Sequence, residues 1–400
     1  GVTEALARIG GHAYMMDAAR VMTAGAVDLG ERPAVLSAIV KYHVTERGRL
    51  VVNDGMDVIG GKGICLGPSN FLGRAYQQLP VGITVEGANI LTRSLMIFGQ
   101  GAIRCHPYVL AEMRAAQAED AEQGLRDFDI AFWAHVRHAV FNALRAVGHG
   151  LTGAWLARPD TSVAPEMARH YRQLMRFSAA FATLADVAML TLGGALKRRE
   201  SLSARLGDVL SQMVLVSATL KRYQDEGRQA ADAPLAHWAI EDAFHRMQEA
   251  CFALLDNFPN RILGCALRIA LFPWGRPCRA PSDALARAAA DALTVPGGTR
   301  DRLTGGVYAP RDLDEPLGVL EAAFLATRDT LEIDKRIREF EKSGRIDPAD
   351  PRANVRDIAD AVHAAGGISD EDHRRITDRN ALRDRVIAVD DFPGDLRGPA

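Results

Sequence analysis

Apolar residues recur along most of this chain at three- and four-residue steps, which is the spacing of one face of an α-helix. Leu6, Ile9, Ala13, Met16, Ala19 and Met22 form such a row, so the spacing predicts a helix over 4–29, with Asp28-Leu29-Gly30 as its stop. A second helix is expected from Pro33 to Ile59, because proline suits a first helical turn, and Gly60-Gly61-Lys62-Gly63 breaks it. Residues 64–86 carry Gly67, Pro68, Gly73, Pro80 and Gly82 and read as loop with one short helix. A further helix is expected from Gly87 through Gly99.

Beyond Gln117 the amphipathic pieces lengthen. Helices are predicted at 120–148, 165–198, 200–226 and 235–257, joined by short connections, and this favours an antiparallel bundle. Shorter helices follow near 316–343, 353–365 and 370–386. Ser369-Asp370-Glu371-Asp372 has the composition of a capped, acidic helix start. No stretch sustains the alternation of a half-buried strand, so the fold class expected is all-α. Three segments are suggested: 1–116, a helical bundle over 117–300, and a peripheral region over 301–400.

Composition sharpens this picture. The chain has 400 residues, with 48 Lys and Arg against 50 Asp and Glu and 48% hydrophobic residues. That is ordinary for a globular protein and excludes a disordered chain or a strongly basic nucleic-acid binder. The balance hides an asymmetry: residues 301–400 hold 16 basic and 22 acidic residues, net −6, and the preceding residues are net +4. Such an acidic region most often makes a solvated face. The five cysteines are odd in number and form no CxxC pair, as expected of a reducing compartment.

No signal peptide is visible, and no uninterrupted apolar run reaches the length of about 18 residues needed to span a bilayer. Residues 176–196 come near, but Arg176 and Asp186 interrupt them, which favours a bundle-core helix. Residues 257–279 combine a short apolar helix with Arg261, Arg268, Arg276 and Arg279 and end in Phe272-Pro273-Trp274. Two readings stay open there: a helix lying in the headgroup layer of an anionic membrane, or a connecting helix whose arginines pair with acidic residues.

The chemistry concentrates in residues 53–108. A Gly-Gly-x-Gly turn after a helix lets a ligand approach bare backbone. Glu86 stands among Ile83, Val85 and Ile90, and a carboxylate in apolar surroundings can act as a base near neutrality. Helix-dipole complementation is the alternative for Glu86 alone. His135 and His138, at i and i+3, share a helix face as metal ligands would. No neighbouring carboxylate or thiol in the sequence completes a site, so ordinary helix histidines are expected.

Taken in order, Gly60-Gly61-Lys62-Gly63, Val85-Glu86-Gly87 and Arg93 resemble the acyl-CoA dehydrogenase family. Lys62-Gly63-Ile64-Cys65-Leu66-Gly67-Pro68 and the run from Phe98 to Tyr108 are similar to its long bacterial form, which acts in fatty-acid β-oxidation and carries a helical extension. So are Asn257-Phe258-Pro259-Asn260-Arg261 and Val389-Asp390-Asp391-Phe392, so the resemblance covers nearly the whole chain.

The resemblance implies FAD-dependent α,β-dehydrogenation of a fatty acyl-CoA to the trans-2-enoyl-CoA. Glu86 corresponds to the catalytic base that takes the α-proton, and its N–H to a donor toward the thioester oxygen. Gly87 matches the position that lets the substrate approach. Ala88, Asn89 and Ile90 match a stretch touching FAD. Asp57 through Gly61, with Gly63 of the same turn, match the segment that contacts FAD across a homodimer interface. An electron-transferring flavoprotein is the implied electron acceptor, and an acyl-CoA oxidase is the related alternative.

Departures from the family are Val85 for a common Tyr, Ala88 for Thr, Asp57 for Gln, and Phe98 where a basic residue for the CoA end can stand, with Arg104 close by. The chain starts at Gly1 already in a helical pattern. It therefore reads as the C-terminal half of a longer enzyme whose β domain lies upstream, cytoplasmic, with inner-membrane association through 257–279 as an option. The contrasting function is a non-catalytic helical module for dimerisation and membrane docking.

Overall fold

The computed structural model describes residues 1–85, 87–346 and 355–391. Among them every regular element is helical and none is a strand. The chain folds as two units, one of residues 1–51 and 79–293, the other of 52–78 and 294–400. These units cut the chain differently from the segments 1–116, 117–300 and 301–400. Contacts between distant stretches set the division, and composition does not report them.

In the first unit, α1 (Val2–Asp28) lies against α10 (Glu200–Asp225), α11 (Ala233–Asp256) and α13 (Asp283–Leu293). Gly10 and Gly11 make the approach possible. A Cβ on Gly11 would stand 2.0 Å from the Trp238 ring, and one on Gly10 2.7 Å from Leu293. Tyr14, Met15, Leu206, Leu215 and Phe252 are almost wholly buried in this core. Arg222 ties α10 to α1: it pairs with Asp17 at 2.8 Å and covers the Tyr14 ring at 4.4 Å.

A second layer of the same unit holds α7 (Val109–Ala116), α8 (Ala121–Thr152), α9 (Ala168–Leu192) and α12 (Arg261–Leu271). Asp120 caps α8 by accepting from the N–H groups of Glu122 and Gln123, and Gly153 ends it in the left-handed region. The bundle helices therefore fall near their predicted spans. Residues 165–198 are long and apolar enough to cross a membrane by length and composition alone. Phe177, Ala180, Leu184 and Ala188 are buried within this unit, against the helices around them.

The second unit contains α3 (Gly61–Ile64), α14 (Gly298–Thr304), α15 (Pro316–Asp329), α16 (Leu331–Lys342), α17 (Val355–Ala364) and α18 (Asp370–Ile387). Ile333, Ile337, Val362, Ile368 and Ile376 form its apolar centre. Ser369 caps α18 by accepting from Asp372 N–H, with three acidic residues in the first turn, as its composition predicts. One expected helix, 316–343, divides at Thr330. That residue is buried, and the buried Arg379 donates to its hydroxyl at 3.2 Å, so a tertiary contact sets the break.

The helix expected over 87–99 also differs. α5 (Asn89–Leu91) opens into a π-helical stretch, Thr92–Gln100, before α6 (Gly101–Cys105). Apolar spacing does not separate an α from a π repeat over so few residues.

Candidate active site

Glu86, the expected base, lies outside the described residues. α4 (Gly73–Thr84) ends just before Val85, and Gly87 follows with φ +95°, a conformation that favours glycine. The short segment between α4 and α5 is held by Lys41 of α2 (Ala34–Ile59). Its ammonium donates to the Gly87 carbonyl at 2.6 Å and to Asn89 Oδ1 at 2.7 Å, and reaches Ile83 O at 3.5 Å.

Asn89 is buried, and its side chain is fully engaged inside the unit. Its Nδ2 donates to Thr45 Oγ1 and to Glu46 Oε1, each at 2.9 Å. The side chain locks α5 onto α2 and has no donor left for a ligand. Ala88 and Ile90, by contrast, are exposed. Lys41, Thr45 and Glu46 escaped sequence reasoning. They lie more than 40 residues from Asn89, and only their one-face spacing on α2 hinted at a shared role.

Asp57, Gly60, Gly61 and Gly63 belong to the second unit, so the expected site residues divide between the two units. Asp57 is exposed at the end of α2. Gly60 has φ +67°, and neither Gly60 nor Gly61 has any atom within 4 Å of where a Cβ would sit. Gly63 is buried against Met56. The turn is fastened by Asn70, whose Nδ2 donates to Cys65 O at 2.8 Å and Lys62 O at 2.9 Å, and whose Oδ1 accepts from Gly73 N–H. Lys62 itself donates to Val386 O at 2.7 Å, closing the C-terminal end of α18.

Arg93 makes a two-pronged ion pair with Asp208, its Nε donating at 2.8 Å. The hydrogen bonds to Asp208 push its pKa up. Arg93 therefore staples the π-helical stretch to α10.

The histidine expectation needs correction. His135 has carboxylate neighbours from other helices: its Nδ1 lies 2.8 Å from Glu112 Oε1 and its Nε2 3.7 Å from Asp186 Oδ1. His106 Nε2 stands 3.1 Å from the same Asp186 oxygen. These partners are 23 to 80 residues apart along the chain, beyond the reach of local spacing.

The 257–279 segment combines features of both open readings. α12 is short and capped by Asn260. Arg268 pairs with Asp256 at 3.3 Å and Arg276 with Glu249 at 3.2 Å. Ile262, Ile269 and Trp274 are nonetheless 85%, 65% and 71% exposed.

The chain belongs to the family described as "Acyl-CoA dehydrogenase, C-terminal, bacterial type", whose sequence profile matches residues 103–392. A crystal structure of an acyl-CoA dehydrogenase complexed with FAD from Bacillus anthracis is similar in fold, with a TM-score of 0.51 at 12% identity. The similarity covers 73% of this chain and 48% of that one, so the chain spans about half the length of that protein.

Proposed function

We propose that this chain is the helical half of an FAD-dependent acyl-CoA dehydrogenase that oxidises fatty acyl-CoA to the trans-2-enoyl-CoA in fatty-acid β-oxidation. The observation that carries the reading is the hold of Lys41 on Gly87 and Asn89, just after the Glu86 position, in a chain of this family. Glu86 takes the α-proton of the acyl thioester. FAD, when bound, supplies the acceptor for the β-hydride.

Taken unit by unit, the residues expected to touch a flavin leave room for one. Gly60 and Gly61 offer bare backbone on an open side, and Ala88 and Ile90 are exposed. Contacts from Ala88 can come only from its backbone and methyl group. Asn89 serves by positioning, since its amide is engaged with Lys41, Thr45 and Glu46. Gly87, having no side chain, leaves room beside the reacting carbon. An electron-transferring flavoprotein, a homodimeric assembly and a cytoplasmic location complete the proposal.

Glu86→Gln in the full-length enzyme tests it. Loss of a general base costs about 10²–10⁴-fold in turnover, while flavin content stays normal. Near-normal turnover would overturn the assignment. Hydrogen peroxide formed in step with product would favour an oxidase instead.

A second role rests on Ile262, Ile269 and Trp274, apolar side chains left exposed beside an arginine-bearing helix. It is peripheral docking on an anionic membrane. Co-sedimentation of the full-length enzyme with anionic vesicles, weakened by Ile262→Asp with Ile269→Asp, would support it. Absence of sedimentation would remove it.

A further inference from the structure

From the arrangement of His106, His135 and Asp186 in the first unit, we infer that this protein binds one divalent transition-metal ion, zinc being the best match. The three residues come from the connector before α7, from α8 and from α9, and their ligand atoms all lie within 4.8 Å of one another. A tetrahedral zinc with Zn–N and Zn–O bonds of about 2.0–2.1 Å needs ligand atoms about 3.3 Å apart. Asp186 Oδ1 is 3.1 Å from His106 Nε2 and 3.7 Å from His135 Nε2, which brackets that spacing.

Three further observations point the same way. Glu112 receives the Nδ1–H of His135 at 2.8 Å, which turns the Nε2 lone pair toward Asp186. A carboxylate behind a ligating histidine is the usual outer support of a metal site. The second carboxylate oxygen of Asp186 is buried and has no hydrogen-bond partner in the protein. Last, Asp186 and Glu112 bring two carboxylates to the cluster, a donor set suited to a divalent cation. The cluster also borders a cavity of about 360 Å³, lined in part by His106, Asp186, His138 and Phe181, so a fourth coordination position is open to a small ligand or water.

Metal binding has a structural consequence. Without a metal, His106 Nδ1 accepts from the N–H groups of Tyr108 and Val109, each at 3.2 Å, so its ring proton sits on Nε2 and points to Asp186. A metal at Nε2 moves that proton to Nδ1 and breaks both backbone contacts. Uptake therefore loosens the first turn of α7 as it joins α8 to α9.

The test uses the full-length protein, stripped with a chelator and then equilibrated with Zn²⁺ alone or Co²⁺ alone. One equivalent should bind, the Co²⁺ form should show the intense visible bands of tetrahedral coordination, and the amides of Tyr108 and Val109 should exchange faster with metal than without. Asp186→Asn, of nearly the same shape, should weaken binding at least tenfold. Glu112→Gln should weaken it about 10–100-fold. His138→Gln, beside the cavity but outside the three ligands, should leave binding intact. Should His135→Gln fail to fold, the two near-isosteric variants still decide. Saturable binding that Asp186→Asn leaves unchanged, or no stoichiometric binding, would overturn the site.

Discussion

The Lys41 ammonium lies 2.6 Å from the carbonyl oxygen of Gly87, the residue after the expected base. It also holds Asn89, so one cation from α2 fastens the residues that lead into α5. Lys41→Met keeps the aliphatic stem and removes the donors. In the full-length enzyme it should lower kcat by roughly tenfold to a hundredfold, since small displacements of a reacting group carry penalties of that order. Steady-state kinetics with a saturating acyl-CoA would read it, and unchanged kcat would show that the segment holds itself.

The buried Arg379 pairs with the partly exposed Asp334 at 2.6 Å and also donates to Thr330 and Asn380. Asp334→Asn leaves the guanidinium buried without its counter-charge. The expected cost is about 1–3 kcal/mol, because water still reaches this edge of the pair, and it is seen as a lower denaturation midpoint. Replacing both by apolar residues of similar volume should restore much of that stability.

Arg176 presents the opposite case. It is 3% exposed, lies against the Phe177 and Phe272 rings, and its Nε and Nη2 find no hydrogen-bond acceptor. Burial lowers its pKa. Arg176→Met should be neutral or stabilising, by up to ~2 kcal/mol, in thermal denaturation at neutral pH. A large loss of stability would mean that the guanidinium has an essential partner.

His170 gives the protein an acid sensitivity. Burial, and then the neighbouring His237 at 2.7 Å, push its pKa down to about 3. The unfolded chain takes up this proton near pH 6.5, while the folded chain resists it, so the histidine's stability contribution is complete above pH 6.5. It is lost as pH falls from there toward the folded value. Between pH 7 and pH 5 the loss attributable to this group is roughly 2 kcal/mol. Urea titrations of wild type and His170→Gln at the two pH values should show a smaller difference in the variant.

The helices themselves were legible in the order of residues. Apolar spacing, Pro33 and Ser369 mark starts, and local physics decides these within a turn or so. Gly60 and Gly87 were legible as chain punctuation, and both take a positive φ that favours glycine. Thr330 shows where this ends. Nothing local distinguishes a continuous helix over 316–343 from two helices, because the break depends on Arg379, far along the chain.

The same limit applied to the histidines. His135 with His138 was visible as a helix face, but Glu112, His106 and Asp186 come to it from other elements. Sequence alone determined the all-α class and the positions of most helices, since these follow from backbone propensities and side-chain periodicity over a few turns. The tertiary structure alone decided which residues meet: Lys41 with Gly87, Arg93 with Asp208, and the two histidines with Asp186. Packing brings together groups separated by tens of residues, and no local rule encodes which ones.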